Sequence, residues 1–199
     1  EKFSLKRVQK SGARFDEKRL LWLNGAHIRN VPIDRLYDYV SPQDDNPQKD
    51  GGQTGFWPES AYAPNITKEY RMKVLTLAQD RLKMFEDLRG FGYFFAEPEI
   101  NLELIDGNKQ LKKLSDSERH ELLETARAEL AKLADWTPES IQTCLNKLLE
   151  TTGQKPGILF SLIRIAATWA PFSPQLNDTL ALIGRERTMA RLQSFLSIN

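Results

Sequence analysis

The chain has 199 residues, which is enough to bury a hydrophobic core in one domain or in two small ones. No apolar run approaches the roughly 20 residues that a transmembrane helix needs, so we expect no membrane partner. The first ten residues are charged and lack the apolar stretch of a signal peptide. Because the chain begins with Glu rather than Met, we expect a piece of a longer protein.

The net charge is only +1, but it is unevenly distributed along the chain. Residues 1–35 contain nine Lys/Arg against four Asp/Glu, and residues 155–199 contain five against two. The residues between these basic ends are therefore acidic on balance. Basic ends suit a partner that carries phosphate groups, although solvated helix faces explain the same pattern equally well.

Cysteine and histidine are too scarce to support several kinds of chemistry. Cys144 is the single cysteine, so the chain has no internal disulfide and fits a reducing, cytoplasmic compartment. It lies in an apolar helical pattern, which predicts a buried structural thiol. His27 and His120 are far apart, and we predict no metal site.

The first third of the chain combines two predicted helices with a long loop. A helix begins after a cap at Asp16 and ends before Pro32, and a short helix follows at 34–40. Residues 41–65 are rich in Pro, Gly, Asp and Asn, which predicts a loop. Its Phe56-Trp57 pair is apolar enough to pack back onto the body.

The longest amphipathic pattern runs from Thr67 to about Leu88, where apolar residues recur at three- and four-residue steps. Gly90 and Gly92 are predicted to end this helix. Four aromatic residues lie beside its end: Phe91, Tyr93, Phe94 and Phe95. Their position favours packing in the core, and a base-stacking platform is the alternative.

The second half of the chain has clear helix boundaries. Helix starts are indicated at Ser115, Pro138, Pro156 and Ser173-Pro174. Ser115 forms a capping box with Glu118, Gly153 suits a helix end, and Gly184 ends the helix that precedes a basic closing helix. No strand pattern of useful length appears, so the predicted fold class is all-α.

No catalytic constellation accompanies these helices. Gly51-Gly52 lacks the strand-to-helix context of a phosphate-binding loop, and no acid and base have a recognisable catalytic spacing. These residues favour a binding module over a stand-alone enzyme. A non-catalytic helical protein-interaction module is the alternative to nucleic-acid binding.

Three stretches carry a family resemblance. The first is Phe15-Asp16-Glu17-Lys18-Arg19-Leu20-Leu21-Trp22-Leu23-Asn24-Gly25, continuing to His27-Ile28-Arg29, and the second is Leu77-Ala78-Gln79-Asp80-Arg81-Leu82. The third runs from Gly153-Gln154-Lys155-Pro156-Gly157 through Leu162-Ile163-Arg164 and Ser173-Pro174-Gln175-Leu176 to Arg187. In order and spacing they resemble the C-terminal anticodon-binding region of bacterial-type glutamyl-tRNA synthetases. Residues 41–65 match no segment of that family.

The resemblance implies two consecutive helical subdomains, an anticodon-binding helical cage, preceded by the end of the stem-contact region. We expect these parts at 35–105, 106–199 and 1–34. The parent enzyme would be a class I glutamate–tRNA ligase, with ATP and Mg²⁺ bound in a catalytic domain outside this chain. The chain itself would need no cofactor. Its partner would be the anticodon arm of glutamate tRNA, and we expect a monomer with no DNA partner.

Arg81 matches the family arginine that reads the third anticodon base, which is cytosine in glutamate tRNAs and guanine in glutamine tRNAs. Cytosine presents acceptors on its Watson–Crick edge, and an arginine side chain carries only donors. Arg81 therefore predicts an enzyme that discriminates, since Gln is expected in relatives that accept both tRNAs. Without the resemblance, Arg81 is a surface arginine bonded to Asp80, Asp87 or solvent.

Further residues match the family's anticodon contacts. Arg164 matches a second family arginine. Because it lies in an otherwise apolar helix, we expect its charge to have a partner, either a carboxylate or RNA. The family turn that contacts bases is matched by Ser173, Pro174 and Leu176, and we expect a helix N-terminus there. The family commonly has Gly where this chain has Trp169, so Trp169 is either a core residue or, like Phe172, a stacking face.

Basic residues near the start are expected to contact the tRNA backbone along the inner bend of the molecule. They are Lys2, Lys6, Arg7, Lys10, Arg14 and Arg29. Such contacts provide affinity without sequence information and weaken with salt.

Overall fold

The computed structural model describes residues 16–41 and 55–198. Within these ranges the chain is helical and contains no strand, which confirms the predicted all-α class. The α-helices are α1 (Glu17–Asn30), α2 (Ile33–Val40), α3 (Lys68–Ala78), α4 (Glu103–Asp106), α5 (Asp116–Ala131), α6 (Pro138–Thr152), α7 (Pro156–Thr168), α8 (Leu176–Ile183) and α9 (Arg185–Leu196). Short 3₁₀ segments cover Glu59–Tyr62, Gln79–Arg81, Phe85–Phe94 and Leu111–Lys113.

Most helix boundaries follow the local signals in the sequence. Asp16 caps α1 by accepting a hydrogen bond from the Arg19 N–H at 3.1 Å. Ser115 and Glu118 form the predicted capping box of α5. Gly153 ends α6 with φ +65°, the left-handed geometry that glycine adopts without steric cost. The helix starts predicted at Pro138 and Pro156 are confirmed as well.

The predicted helix over 67–88 is wrong, because α3 ends at Ala78. A 3₁₀ turn and an extended backbone at Leu82 and Met84 follow it. The Asp87 carboxylate accepts hydrogen bonds from the Lys83 and Met84 N–H groups, at 2.7 and 3.0 Å, and so begins a new helical segment. Apolar spacing continues through this break, so periodicity could not reveal it.

Gly90 and Gly92 also differ from the prediction, since they lie inside the Phe85–Phe94 segment rather than at the end of a helix. The backbone of that segment is interrupted instead at Phe91, with φ −102° and ψ 18°. Tight 3₁₀ turns place both glycines, and Phe91 between them, on a compact ribbon. This ribbon carries one wall of the site described below.

Two hydrophobic clusters form the core of the described residues. The first joins α1–α3 and the Phe85–Phe94 segment, and it takes in Ala170 and Ile183 from the second half of the chain. The second joins α4–α9. The predicted division into 1–34, 35–105 and 106–199 stays a prediction.

Buried aromatic residues decide two of the alternatives that the sequence left open. The four aromatics of the Phe91–Phe95 group are all buried, so their prediction as core residues is confirmed. Trp57 is buried in the first cluster and Phe56 packs against it, so this pair does fold back onto the body. Cys144 is a buried thiol, and burial raises its pKa.

None of the helices in the described ranges has the length and hydropathy that crossing a bilayer requires.

Candidate nucleic-acid interface

Arg81 lies at the end of the Gln79–Arg81 turn, with its side chain exposed. Across 16–41 and 55–198 the guanidinium has no hydrogen bond or ion pair. Asp87, one of its expected partners, accepts backbone N–H groups instead. Arg81 is therefore a cation whose donors are available to a ligand.

The turn that carries Arg81 is fixed against α1. The Gln79 side-chain amide donates to the carbonyl oxygens of Ile28 and Val31, at 2.9 and 2.8 Å. Gly25 permits the close approach of the two elements, because a Cβ there would lie only 3.1 Å from the Leu82 carbonyl oxygen. Arg81 thus projects from a rigid turn, which is what a specific contact to a ligand requires.

Arg164 lies on α7, partly buried, and its Nε donates to the Ser173 hydroxyl at 2.9 Å. Of the two partners expected from the sequence, no carboxylate contacts it among the described residues. Burial lowers the pKa of Arg164, the nearby Tyr93 phenol opposes that change, and the charge of Arg81 lowers the pKa further. Arg81 and Arg164 are therefore close enough to repel each other.

The partly buried charge of Arg164 has lost part of its solvation and has no carboxylate partner among the described residues, so a ligand would offset that loss. Both arginines present donors only, so the matching ligand is rich in acceptors or negatively charged. We call Arg81, Arg164, Phe172 and Ser173 the two-arginine site, in which Arg164 bonds to Ser173 and is affected by the charge of Arg81.

Phe172 is the exposed aromatic residue of the two-arginine site. Its side chain is 49% exposed, although the ring packs edge-to-face on the buried Phe91 with 6.2 Å between centroids. The ring also packs beside Gly90, where a Cβ would lie 3.6 Å from it, an ordinary van der Waals distance. An exposed ring supported from below is suited to stack on an unpaired base.

The predicted helix N-terminus at Ser173-Pro174 is wrong, because α8 begins at Leu176. The Ser173 hydroxyl accepts from Arg164 and donates to the Pro174 carbonyl, so it is not free to cap a helix. Ser173, Pro174 and Leu176 are all buried. They shape the loop beneath Phe172 and orient Arg164.

Trp169 ends α7 with φ 46° and ψ 37°, the one positive φ of a non-glycine residue in the described ranges. Its N–H donates to the Ile165 carbonyl oxygen at 2.8 Å, which is the usual bond at a helix C-cap. The ring stacks on Phe195 with 5.3 Å between centroids and packs against the second cluster. Trp169 thus fills the backbone position for which glycine is favoured.

Comparison with known proteins identifies the family to which the chain belongs. A family model described as "Anticodon binding domain" matches residues 36–196. The chain belongs to the anticodon-binding domain family. The anticodon-binding domain that we inferred from three sequence stretches is thereby confirmed.

Similar proteins extend beyond this anticodon-binding domain. A glutamate–tRNA ligase of Roseiflexus castenholzii is 33% identical over 201 residues, which cover 100% of this chain and 37% of the relative. A glutamate–tRNA ligase of a second Roseiflexus strain is 34% identical over 205 residues, covering 98% of this chain and 36% of the relative. The chain therefore spans little more than a third of the length of these relatives.

Solved structures share the fold of this anticodon-binding domain. A crystal structure of a glutamate tRNA ligase from Elizabethkingia meningosepticum in complex with its amino acid has a TM-score of 0.65 and 21% identity. The match covers 98% of this chain and 35% of the ligase in the crystal structure. A glutamate-tRNA synthetase from Elizabethkingia anophelis has a TM-score of 0.63 and 21% identity. The match covers 98% of this chain and 34% of the synthetase.

A groove of ≈ 520 Å³ adjoins the two-arginine site on the anticodon-binding domain. Arg89, Gly90, Tyr93 and Trp169 contribute to its walls. Arg89 is exposed and has no partner among the described residues, yet no motif in the sequence distinguished it. The Tyr93 hydroxyl is buried without a hydrogen-bond partner, and burial raises its pKa. The sequence assigned Tyr93 to the core and gave no sign that its phenol lies near Arg164.

The predicted backbone-binding residues lie mostly outside the described ranges. Lys2, Lys6, Arg7, Lys10 and Arg14 belong to residues 1–15, which the structure does not describe. Arg29 is exposed in the last turn of α1, and its Nη1 would lie 3.3 Å from a Cβ at Gly25. It therefore lies beside the contact between α1 and the segment that follows Arg81.

The basic end of the anticodon-binding domain is largely engaged within the fold. Arg187 and Arg191 both bond to the Glu97 carboxylate, at 3.0 and 2.8 Å. Arg185 donates to the Leu133 carbonyl oxygen and lies over the Trp136 ring, 5.4 Å from its centroid. These three charges stabilise the packing of α9, so they do not form a free surface for phosphate groups.

Proposed function

We propose that this chain is the anticodon-reading part of a glutamate–tRNA ligase and that its partner is the anticodon arm of glutamate tRNA. The parent enzyme would couple ATP-dependent activation of glutamate to tRNA charging, in a catalytic domain outside this chain that binds ATP and Mg²⁺. The observation that carries the proposal is the uncompensated pair Arg81 and Arg164 within an anticodon-binding domain.

Arg81 reads the third anticodon base. Anticodon bases are unpaired, so their Watson–Crick edges are open to a protein. The exposed, unpartnered guanidinium of Arg81 can donate to the acceptors of cytosine. Guanine would turn its own donors toward the arginine and leave polar groups unpaired. A good contact of this kind discriminates by about 1–3 kcal/mol.

Arg164 and Phe172 complete the base-binding surface. Arg164 keeps donors beyond the Nε that contacts Ser173, and Phe172 offers a ring face supported by Phe91. Ser173, Pro174 and Leu176 act mainly through the loop that they hold, because all three are buried. Trp169 takes part as one of the residues that line the groove next to Gly90.

The tRNA backbone is held by the basic residues near the start of the chain. These are Lys6, Arg7, Lys10, Arg14 and Arg29, with Lys2 beside them. Support comes from the excess of Lys/Arg in residues 1–35 and from the exposure of Arg29. We infer a cytoplasmic monomer with neither a membrane nor a DNA partner.

Binding to two RNAs tests the proposal. The 199-residue chain is titrated with glutamate tRNA and with the same tRNA carrying C→G at the third anticodon base, at two salt concentrations. Arg81→Gln should reduce the preference for the C form by roughly 5- to 150-fold, the factor that 1–3 kcal/mol gives. It should leave stability within about 0.5 kcal/mol of wild type, because Arg81 is exposed.

The matched control is Arg127→Gln on α5, where the arginine pairs with Glu124 rather than with the site. This variant should keep both affinities. Equal binding of the two tRNAs by the wild type would remove Arg81 from its proposed role. No binding to either tRNA at low salt would favour a helical protein-interaction module instead.

A further inference from the structure

Arg191, a buried arginine on α9, links α7, which carries Arg164, to the end of the Phe85–Phe94 segment and the residues that follow it. Its side chain is 4% exposed. On one side, Nη1 donates to the Ala167 carbonyl oxygen at 2.8 Å, in the last turn of α7. On the other side, Nη2 donates to the carbonyl oxygens of Tyr93 and Ala96, at 2.9 and 3.0 Å. Nε donates to the Glu97 carboxylate at 2.8 Å.

The two linked segments form walls of the groove that adjoins the two-arginine site. Helix α7 carries Arg164 one turn before Ala167. The Phe85–Phe94 segment carries Gly90, against which Phe172 packs, and ends beside Tyr93, whose phenol lies near Arg164. The spacing between these walls therefore depends on the group that bridges them.

Arginine is suited to fix such a spacing. Its guanidinium is planar and its donors point in fixed directions, so several simultaneous bonds define both a distance and an angle. Hydrogen bonds from a cation to carboxylate and carbonyl oxygens are also stronger than hydrogen bonds between neutral groups. The difference is larger where solvent is excluded. The bond to Ala167 has the further advantage that a cation is favoured at a helix C-terminus.

We propose that Arg191, held by Glu97, is a positioning residue that sets the geometry of the two-arginine site and thereby the preference for the third anticodon base. The proposal rests on the proposed function, because it concerns the same base. Loosening Arg191 lets Arg164 and the Gly90 wall move relative to each other. The preference then falls more than the affinity, because phosphate contacts elsewhere on the tRNA are unaffected.

Arg187, one turn earlier on α9, is a natural control for Arg191. It also bonds to Glu97, at 3.0 Å, and to the Phe94 carbonyl oxygen, at 2.8 Å. Its remaining bonds go to the carbonyl oxygens of Tyr93 and Ala96. Arg187 thus shares the carboxylate with Arg191, but within residues 16–41 and 55–198 it has no hydrogen bond to α7.

The experiment compares Arg191→Lys with Arg187→Lys in the 199-residue chain. Each variant is titrated with glutamate tRNA and with its C→G form at the third anticodon base, and its thermal unfolding is recorded. Arg191→Lys should lower the C-over-G preference by roughly 2- to 30-fold, the usual range for residues that couple to a site through packing. Arg187→Lys should keep the wild-type preference within about twofold.

An unchanged preference in Arg191→Lys overturns the proposal, and so does an equal loss in both variants, which would indicate a purely structural role. If Arg191→Lys does not fold, Glu97→Gln replaces it, because the Glu97 side chain is 65% exposed and tolerates the loss of charge. Glu97→Gln should also lower the preference, and no change would overturn the proposal. A wild-type chain with no preference would contradict the proposed function itself, so the two failures are distinguishable.

Discussion

At the scale of single residues, Trp169 shows how a backbone geometry explains a departure from a family pattern. The C-cap of α7 requires a left-handed residue, and glycine meets that requirement without steric cost. Trp169 adopts the same geometry and adds a ring that stacks on Phe195. Its packing offsets part of the backbone strain, so the position tolerates a large residue.

A pair of substitutions separates the backbone from the ring. Trp169→Gly and Trp169→Ala both remove the stack on Phe195, but only alanine retains a Cβ in the left-handed region. We expect Trp169→Gly to be more stable than Trp169→Ala by about 1 kcal/mol in chemical denaturation. If the alanine variant were as stable as the glycine variant, Trp169 would not be strained.

Arg164 shows which part of a site can be predicted from residue types. An arginine in an apolar helix demands a partner, and the sequence offered a carboxylate or RNA. The structure gives Arg164 the hydroxyl of Ser173 and the neighbouring charge of Arg81, and no carboxylate among the described residues. The sequence could not predict this proximity, because it depends on how α7 packs beside the turn that follows α3.

At the scale of elements, local chemistry predicted helix starts better than helix lengths. Caps at Asp16 and Ser115 act within four residues, so the sequence alone specifies them. The end of α3 depends on contacts with α1, from which it is separated by about 50 residues of chain. The same dependence on distant contacts explains why Ser173 does not begin α8, since Arg164 occupies its hydroxyl.

Gln79 is the residue through which this distant contact acts. Its amide bonds to the carbonyl oxygens of Ile28 and Val31 at the end of α1. We expect Gln79→Ala to destabilise the chain by about 1–3 kcal/mol, because the Val31 carbonyl loses its donor while the Ile28 carbonyl keeps only the Val31 N–H. Urea denaturation measures this loss. Gln142→Ala on α6, where the amide bonds only to Asn146, is the control and should change stability by less than about 0.5 kcal/mol.

At the scale of the whole molecule, two hydrophobic clusters meet along the surface that carries the two-arginine site. Arg81 and the Phe85–Phe94 segment belong to the side of the first cluster, and α7 belongs to the second. The two-arginine site therefore lies where the two clusters adjoin, and the hydrogen bonds of Arg191 join the segments beside it. Family motifs predicted the residues of the two-arginine site. Its geometry depends on long-range packing, which the spacing of apolar residues along the sequence cannot predict.

The most direct test of this account locates the third anticodon base on the protein. A glutamate tRNA with a photoreactive pyrimidine at that position is crosslinked to the 199-residue chain, and the modified peptides are identified by mass spectrometry. We expect crosslinks to residues 79–83 and 164–173, which hold Arg81, Arg164 and Phe172. Crosslinks confined to α4 and α5, on a different part of the surface, would contradict the account.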